Sequence, residues 1–346
     1  MKLDRPMRLL VTGGAGYVGA HTCIVLLQAG HDIVVVDNFS NSDATVLQTV
    51  MEIGGRRLCS IEADIRDRKA MKSVLSEGKF DGILHFAALK SAPESLEQPE
   101  LYWDVNVGGT AILLEAALAA GVRKFVFSSS AIVYGTQEIV PTPETAPLRP
   151  INPYAWSKLV GEQMLDDVGR SRVNFHACSL RYFNPIGNHS SGRIGENPKQ
   201  RATNIFPVIL SACRDRKPVN IYGTDYDTRD GSAVRDFIHV MDVAEGHSAA
   251  LKFLVTKEAG AGSDAAIFNL GTGQGSSVRD LVHAMERAAG TTIECRESGR
   301  RAGDIAISVA NPERSATILG WRARRSLDQA CSDAMRWLDD GSARSM

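Results

Sequence analysis

The first half of the chain alternates short apolar runs with stretches of helical periodicity. The runs Arg8–Thr12, Asp32–Asp37, Leu58–Ala63, Gly82–Phe86, Lys124–Ser129 and Phe175–Arg181 read as strands. Between them the spacing predicts helices, most clearly at Tyr17–Ala29, Val107–Ala120 and Tyr154–Val168. Continuous apolar strands separated by helices imply a parallel sheet covered on both faces. The expected fold class is therefore α/β, a Rossmann-type doubly wound parallel sheet. After about Ile186 the chain becomes a loop rich in Gly, Asn, Ser and Pro. Short elements follow: helices near Asn204–Arg214 and Asp242–Leu254, and a strand near Ala266–Leu270. The pattern divides the chain into a first domain, 1–185, and a smaller α/β second domain, 186–346, with parts of 235–270 packing back on the first. The tail Gly341–Met346 is expected to fray.

At 346 residues the chain is long enough for two cores, and its formal net charge of −1 argues against a polyanion-binding protein. No apolar run approaches the ~20 residues of a membrane helix, and the start, Met1 to Pro6, has no apolar signal core. A cytoplasmic protein is expected. The six cysteines are scattered, with neither Cys-x-x-Cys nor metal spacing, so metal ligation is not expected; Cys59 and Cys178 read as small core residues. His85 and His176, in or beside strands, read as structural.

Candidate chemistry begins where the first strand meets the first helix. Thr12-Gly13-Gly14-Ala15-Gly16-Tyr17-Val18-Gly19 satisfies Gly-x-Gly-x-x-Gly. Glycines there permit a tight turn and bring backbone N–H groups to a pyrophosphate at the positive helix end. Asp37 ends the second strand, 18 residues past Gly19, where a carboxylate accepts hydrogen bonds from ribose hydroxyls and repels a 2′-phosphate. NAD is therefore the expected cofactor, with Asp64-Ile65 framing its adenine.

Asn152 reads as an N-cap and Pro153 as the first helical residue, which puts Tyr154 and Lys158 at i and i+4 on one face. A nearby ammonium and the helix dipole both favour the phenolate, so the pair is expected to lower the tyrosine's pKa and make it a base. Ser130 ends the fifth strand, 24 residues before Tyr154, on the edge of the sheet where ligands bind.

With these features the sequence resembles the extended short-chain dehydrogenase/reductase superfamily and, within it, the UDP-glucose 4-epimerase family. The resemblance runs from Arg8 to about Leu338. It rests on the glycine loop, Val36-Asp37-Asn38 with Asn41-Ser42, Ala63-Asp64-Ile65-Arg66, His85-Phe86-Ala87, Lys90, Asn106 and the Ser130/Tyr154/Lys158 set. Further matches are Leu180-Arg181-Tyr182-Phe183-Asn184-Pro185, Val234-Arg235-Asp236 and Arg300-Arg301-x-Gly303-Asp304. The resemblance implies that Gly13, Gly16, Tyr17, Val18, Gly19, Asp37, Asn38, Asn41, Ser42, Asp64, Ile65, Phe86, Ala87, Lys90, Asn106, Tyr154, Lys158, Tyr182 and Phe183 hold tightly bound NAD+. It also implies a UDP-sugar in the second domain, held by Asn184, Asn204, Ile205, Asn220, Tyr222, Arg235, Arg301, Asp304 and Ser308, with Tyr222 beside the uracil. Lys90, Ser130 and Tyr154 would touch the sugar side as well. The implied reaction inverts C4 of a UDP-hexose through a 4-keto intermediate, with Tyr154, Lys158 and Ser130 as the catalytic set. A homodimer pairing through Val107–Ala120 and Tyr154–Val168 and a place in galactose metabolism are further implications.

The chain departs from the family pattern at Ala88, at Ala92-Pro93-Glu94-Ser95 and at Ile132. Ser308 stands where relatives restricted to unacetylated hexoses carry tyrosine, so an N-acetylated substrate is also expected. A 4,6-dehydratase would need carboxyl groups after the fifth strand, where this chain has Ser130, Ala131 and Ile132. A UDP-sugar decarboxylase or 4-reductase, or an NAD-sensing protein without catalysis, are the alternative readings.

Overall fold

Alternating strands and helices follow one another along the computed structural model, which describes residues 5–197, 204–257, 265–301 and 303–340. The first part runs β1 (Arg8–Thr12), α1 (Tyr17–Gln28), β2 (Asp32–Asp37), α2 (Val46–Gly54), β3 (Cys59–Glu62), α3 (Arg68–Gly78) and β4 (Gly82–His85). Two short helices, α4 (Ala92–Glu97) and α5 (Pro99–Tyr102), and a π-helical turn, Trp103–Gly109, lead into α6 (Thr110–Ala119). Then come β5 (Lys124–Ser130), α7 (Pro153–Ser171), β6 (His176–Tyr182) and β7 (Asn184–Ile186).

The remainder contributes α8 (Ile205–Asp215), β8 (Val219–Tyr222), β9 (Val234–Arg235), β10 (Phe237–His239), α9 (Val240–Thr256) and β11 (Ala266–Leu270). It ends with β12 (Ser276–Ser277), α10 (Val278–Ala289), β13 (Cys295–Ser298), β14 (Ile307–Ser308) and α11 (Leu327–Asp339). Regular α-helix starts at Thr110 rather than Val107, because the chain before it is wound as a π-turn that buries Asn106.

The main sheet has seven strands in the order β11-β6-β5-β4-β1-β2-β3, all parallel. Strand order reverses beside β1, and a crevice opens there at the carboxyl ends. The period-two pleat sends Leu9, Val11, Ile33 and Val35 into one core with α1 and α9, while Leu10, Val34, Val36 and Ile83 enter another with α3, α6 and α7. Each fully buried aliphatic side chain contributes roughly 1.5–3 kcal/mol. Ala116 of α6 is buried in this second core and Ile112 packs against it. A third core, built on Phe206, Ile209, Val219, Phe237, Leu281 and Trp337, holds α8, α10 and α11 together.

Two expectations need correction or detail. Cys59 is exposed, because β3 is an edge strand whose four residues all face solvent; Cys178, in the central β6, is fully buried. His85 lies buried between Thr12 Oγ1 at 2.6 Å and Thr110 Oγ1 at 2.8 Å, and burial, helped by Lys158, pushes its pKa down to about 3. His176 is likewise buried, with its pKa lowered by burial.

Candidate active site

The loop after β1 turns at Gly13, whose φ of +69° favours glycine and whose missing Cβ would sit 2.5 Å from Ala87 N. A Cβ on Gly19 would lie 2.2 Å from Gly13 O, so α1 can start close against the turn only with glycine there. Gly16 occupies the N-cap of α1 and no side chain caps it, which keeps the first-turn amides available. Gly16, Tyr17, Val18 and Gly19 line a cavity of about 910 Å³ that also reaches Asp37, Asn38, Asn41, Ser42, Asp64 and Ile65. At its other end it meets Ser128, Tyr154, Lys158 and Tyr182. Phe86, Ala87 and Lys90 form the wall between.

Asp37 is fixed in place by Ala15 N, which donates to Oδ2 at 3.0 Å, and by Phe39 N and Ser42 Oγ, which donate to Oδ1 at 2.9 and 3.0 Å. Asn38 Nδ2 donates to Asp64 at 2.9 Å, and Arg66 pairs with the same carboxylate at 2.8 Å. That pairing holds the Asp64 pKa well below the usual carboxylate range. Asn106 stands behind the wall: its Oδ1 accepts from Leu89 N at 2.8 Å and its Nδ2 donates to Leu89 O and Ser157 Oγ. It thereby ties the Lys90 segment to α7. Phe183 is buried beside Tyr134, away from the cavity surface.

At the chemical end, Asn152 Oδ1 accepts from Ala155 N at 2.8 Å and Pro153 starts α7, the capping its residue types favour. Lys158 is buried and its Nζ donates to the carbonyl of Ser128 at 2.9 Å, 5.9 Å from the centre of the Tyr154 ring. Burial pushes the Lys158 pKa down to about 8, against the pull of Glu162. Tyr154 moves opposite to expectation. Burial pushes its phenol up to about 12, and the hydrogen bond with Ser130 is what draws it back. At 5.9 Å from the ring centre, the Lys158 charge does not outweigh the desolvation of the phenolate. A cation seated at this end of the cavity would supply the missing stabilisation.

Apart from Asn204, the second-domain residues expected to hold the UDP-sugar lie outside the lining of that cavity. Asn220 and Tyr222 are the exposed positions of β8, whose neighbours Val219 and Ile221 are buried. Arg301 lies over the Tyr222 ring at 4.7 Å and pairs with Asp304 at 3.0 Å. Arg235, half-buried in β9, is paired in register with Ser308 of β14, and both Asp304 and Arg301 act on it electrostatically. Ser308 is buried, with its Oγ accepting from Gln137 Nε2 at 2.8 Å. Asn184 donates its backbone N–H to Asp236 O at 3.1 Å. Asn204 is the N-cap of α8, ahead of Ile205, and it lines the large cavity near Pro207. Ala88 lines the same cavity, whereas Ile132 sits in the 3-10 turn after β5.

Several participants carry no signal in the sequence. The stretch Arg193–Asn197 forms part of the cavity wall, where Glu196 takes Lys90 Nζ at 2.6 Å and Arg193 pairs with Glu52. Tyr17 Oη donates to the Gly187 carbonyl. These partners lie more than a hundred residues apart, with several strands and helices between them, and no local spacing foretells such a pairing. The internal ion pair of Glu162 with Arg181, only 19 positions apart, forms because α7 folds back along the neighbouring strand β6.

Known proteins resemble this chain over nearly its whole length. Residues 9–271 match the NAD-dependent epimerase/dehydratase family. A UDP-glucose 4-epimerase of Bacillus subtilis is 46% identical over 96% of this chain and 96% of its own. Among solved structures, a UDP-glucose 4-epimerase from Stenotrophomonas maltophila, with bound NAD and formylated UDP-arabinopyranose, has a TM-score of 0.94 at 44% identity and covers 98% of this chain and 100% of its own. Another, from Bifidobacterium longum with NAD+ and UDP, has a TM-score of 0.92 at 40% identity, covering 97% and 99% respectively. The chain belongs to the NAD-dependent epimerase/dehydratase family and, within it, to the UDP-glucose 4-epimerase family.

Proposed function

We propose that this protein interconverts the C4 epimers of UDP-hexoses, with Tyr154 as the base and NAD as a resident cofactor. One observation carries the reading: Tyr154 and Lys158 line one end of a cavity whose other end presents Asp37 and the glycine turn, and Ser130 stands within hydrogen-bonding reach of Tyr154. The cavity's size, the open amides at α1 and the fixed carboxylate of Asp37 fit a dinucleotide. When bound, NAD accepts a hydride from C4 and returns it.

The protein's own groups do the rest. Tyr154 Oη takes the proton of the 4′-hydroxyl and later returns it, and Ser130 Oγ holds the same oxygen by a hydrogen bond. Lys158 supplies positive charge behind the phenolate. Hydride loss and proton loss together leave a ketone at C4. Inversion requires that this ketone turn over while the nucleotide stays anchored. Arg235 and Arg301 are assigned to the diphosphate, for which guanidinium geometry is suited, and Tyr222 to the uracil. Remote binding then retains the intermediate without fixing the face it presents. Ser130 is followed by Ala131 and Ile132, which lack the carboxyl needed for dehydration.

The division of labour gives residues 1–185 to the dinucleotide and 186–346 to the UDP-sugar, with α9 and β11 supporting the first. A small Ser308 in place of tyrosine makes room for an N-acetyl group, so UDP-N-acetylglucosamine is an expected second substrate. Ser308→Tyr should abolish that activity and spare UDP-galactose. Trp103 and Trp156, 40% and 47% exposed on adjoining helical segments, favour a homodimer through α7 and the turn before α6. Light scattering would read its mass. Among the described residues no helix is long and apolar enough to cross a membrane. A cytoplasmic role in galactose metabolism completes the reading.

The deciding experiment incubates the pure protein with UDP-galactose carrying deuterium at C4 and adds no cofactor. UDP-glucose that retains the label is expected. Label lost to solvent, or no conversion at all, would overturn the reading.

A further inference from the structure

We propose that the hydroxyl of Tyr226 is a further substrate-binding group, donating a hydrogen bond to an oxygen of the UDP diphosphate. The proposal rests on the reading that the cleft beside β8 and β9 holds a UDP-sugar, and it adds a contact to that cleft. Tyr226 lies in the loop between those strands. Its N–H donates to Gly231 O at 3.0 Å and its carbonyl accepts from Thr228 N at 2.8 Å, which folds the loop back on itself. The ring packs where a side chain on Gly223 would be: a Cβ there would meet Tyr226 Cε2 at 2.4 Å, and the φ of +72° favours glycine in any case.

Consecutive arginines clamp consecutive aromatic positions. Arg300 lies over the Tyr226 ring at 4.3 Å and is held by the Asp225 carboxylate and carbonyl, both at 2.8 Å. Arg301 does the same over Tyr222. The two rings differ in what they leave open. Tyr222 is 37% exposed and offers a face, whereas Tyr226 is only 7% exposed. The Tyr226 hydroxyl is buried and has no hydrogen-bond partner among the described residues. A buried O–H left unpaired is unfavourable and is normally met by protein, water or ligand.

Its electrostatic neighbours are Asp304, Arg300, Arg235 and Asp225. Arg235 and Asp304 belong to the set assigned to the nucleotide. Burial, reinforced by the negative charge of Asp304, raises the Tyr226 pKa, so the phenol keeps its proton and acts as a donor at neutral pH. A diphosphate oxygen is an acceptor only, and charge makes such a bond strong. An anion drawn between Arg235 and Arg301 is the acceptor the Tyr226 hydroxyl lacks.

Tyr226→Phe removes this one atom and keeps the ring under Arg300. The holoenzyme and the variant are compared by thermal melting without nucleotide and by calorimetric titration with UDP and with uridine. The variant is expected to melt no lower than wild type, because the hydroxyl has no partner to lose. Its UDP affinity should fall about tenfold, the scale of one hydrogen bond to a charged oxygen, with uridine affinity unchanged. Unaltered UDP affinity would overturn the proposal, as would a parallel loss for uridine or a lowered melting temperature, which would place the hydroxyl's partner elsewhere. If wild type itself fails to bind UDP, the reading of the cleft falls and the proposal with it. That result is distinct from a failure confined to the variant.

Discussion

Glu162 follows Lys158 by one turn of α7, and its carboxylate grips Arg181 of β6 twice, at 2.8 Å from Nε and 2.5 Å from Nη2, with both side chains almost wholly out of solvent. Arg181 also donates to Tyr134 Oη at 3.0 Å, and Tyr134 donates onward to Asn269 Oδ1 at 2.7 Å. The helix that presents Tyr154 and Lys158 is thus fastened through the sheet to the turn after β5. Removing one partner strands a charge. Arg181→Met should destabilise the protein by roughly 3–5 kcal/mol, and adding Glu162→Leu should restore most of it. Urea unfolding would read both; equal losses in the single and double variants would show that packing of the arginine stem, not charge, is what matters.

The buried Lys158 has a signature in stability against pH. Its folded pKa of about 8 lies below the ordinary 10.5, so between these values the unfolded chain holds a proton that the folded protein has shed. Stability from this group therefore rises with pH across that window, and the full penalty applies below it. Lys158→Met, free of the penalty, should gain on wild type at neutral pH by up to roughly 3 kcal/mol, with the gap closing towards pH ~10. Paired denaturation curves would test the sign.

Tyr154→Phe should keep NAD bound while turnover falls by about 10²–10⁴, the range for loss of a general acid–base group. Near-normal turnover in the variant would remove Tyr154 from its role. Because the phenol stands at about 12 in the protein alone, the base must gain its acidity from positive charge at the nicotinamide end of the cavity. The phenol's own titration, followed by its ultraviolet absorbance, should therefore move to higher pH when the cofactor's charge is removed by reduction.

Gly13→Ala meets two obstacles, a left-handed φ of +69° and a collision 2.5 Å from Ala87 N. Strain of about 1–2 kcal/mol comes from the dihedral alone. NAD content, read by absorbance after denaturation, should fall sharply while the third core around Phe206 and Trp337 stays folded. Full cofactor occupancy would show that the turn tolerates a side chain.

Local rules reached much of this molecule. Strands β1, β2 and β11 begin and end where their apolar runs do, and Asn152 with Pro153 set the start of α7 because capping depends on three or four adjacent residues. The Gly13–Gly19 turn was legible for the same reason. What stayed hidden depends on distance. The winding of Trp103–Gly109 as a π-turn serves a buried Asn106 that reaches Leu89 and Ser157. The exposure of Cys59 follows from β3 lying at the edge, a matter of sheet order. The direction of the Tyr154 shift needed burial, which an i to i+4 spacing does not report.

β11 joins the seven-stranded sheet beside β6, although some eighty residues of chain separate the two, and α9, just ahead of it, covers α1. A ribosome that has delivered only the first six strands has therefore made a sheet with a raw edge and a bare apolar flank. The seventh strand waits for residue 270 to emerge, so the part that grips the dinucleotide and the part that follows it are obliged to mature together.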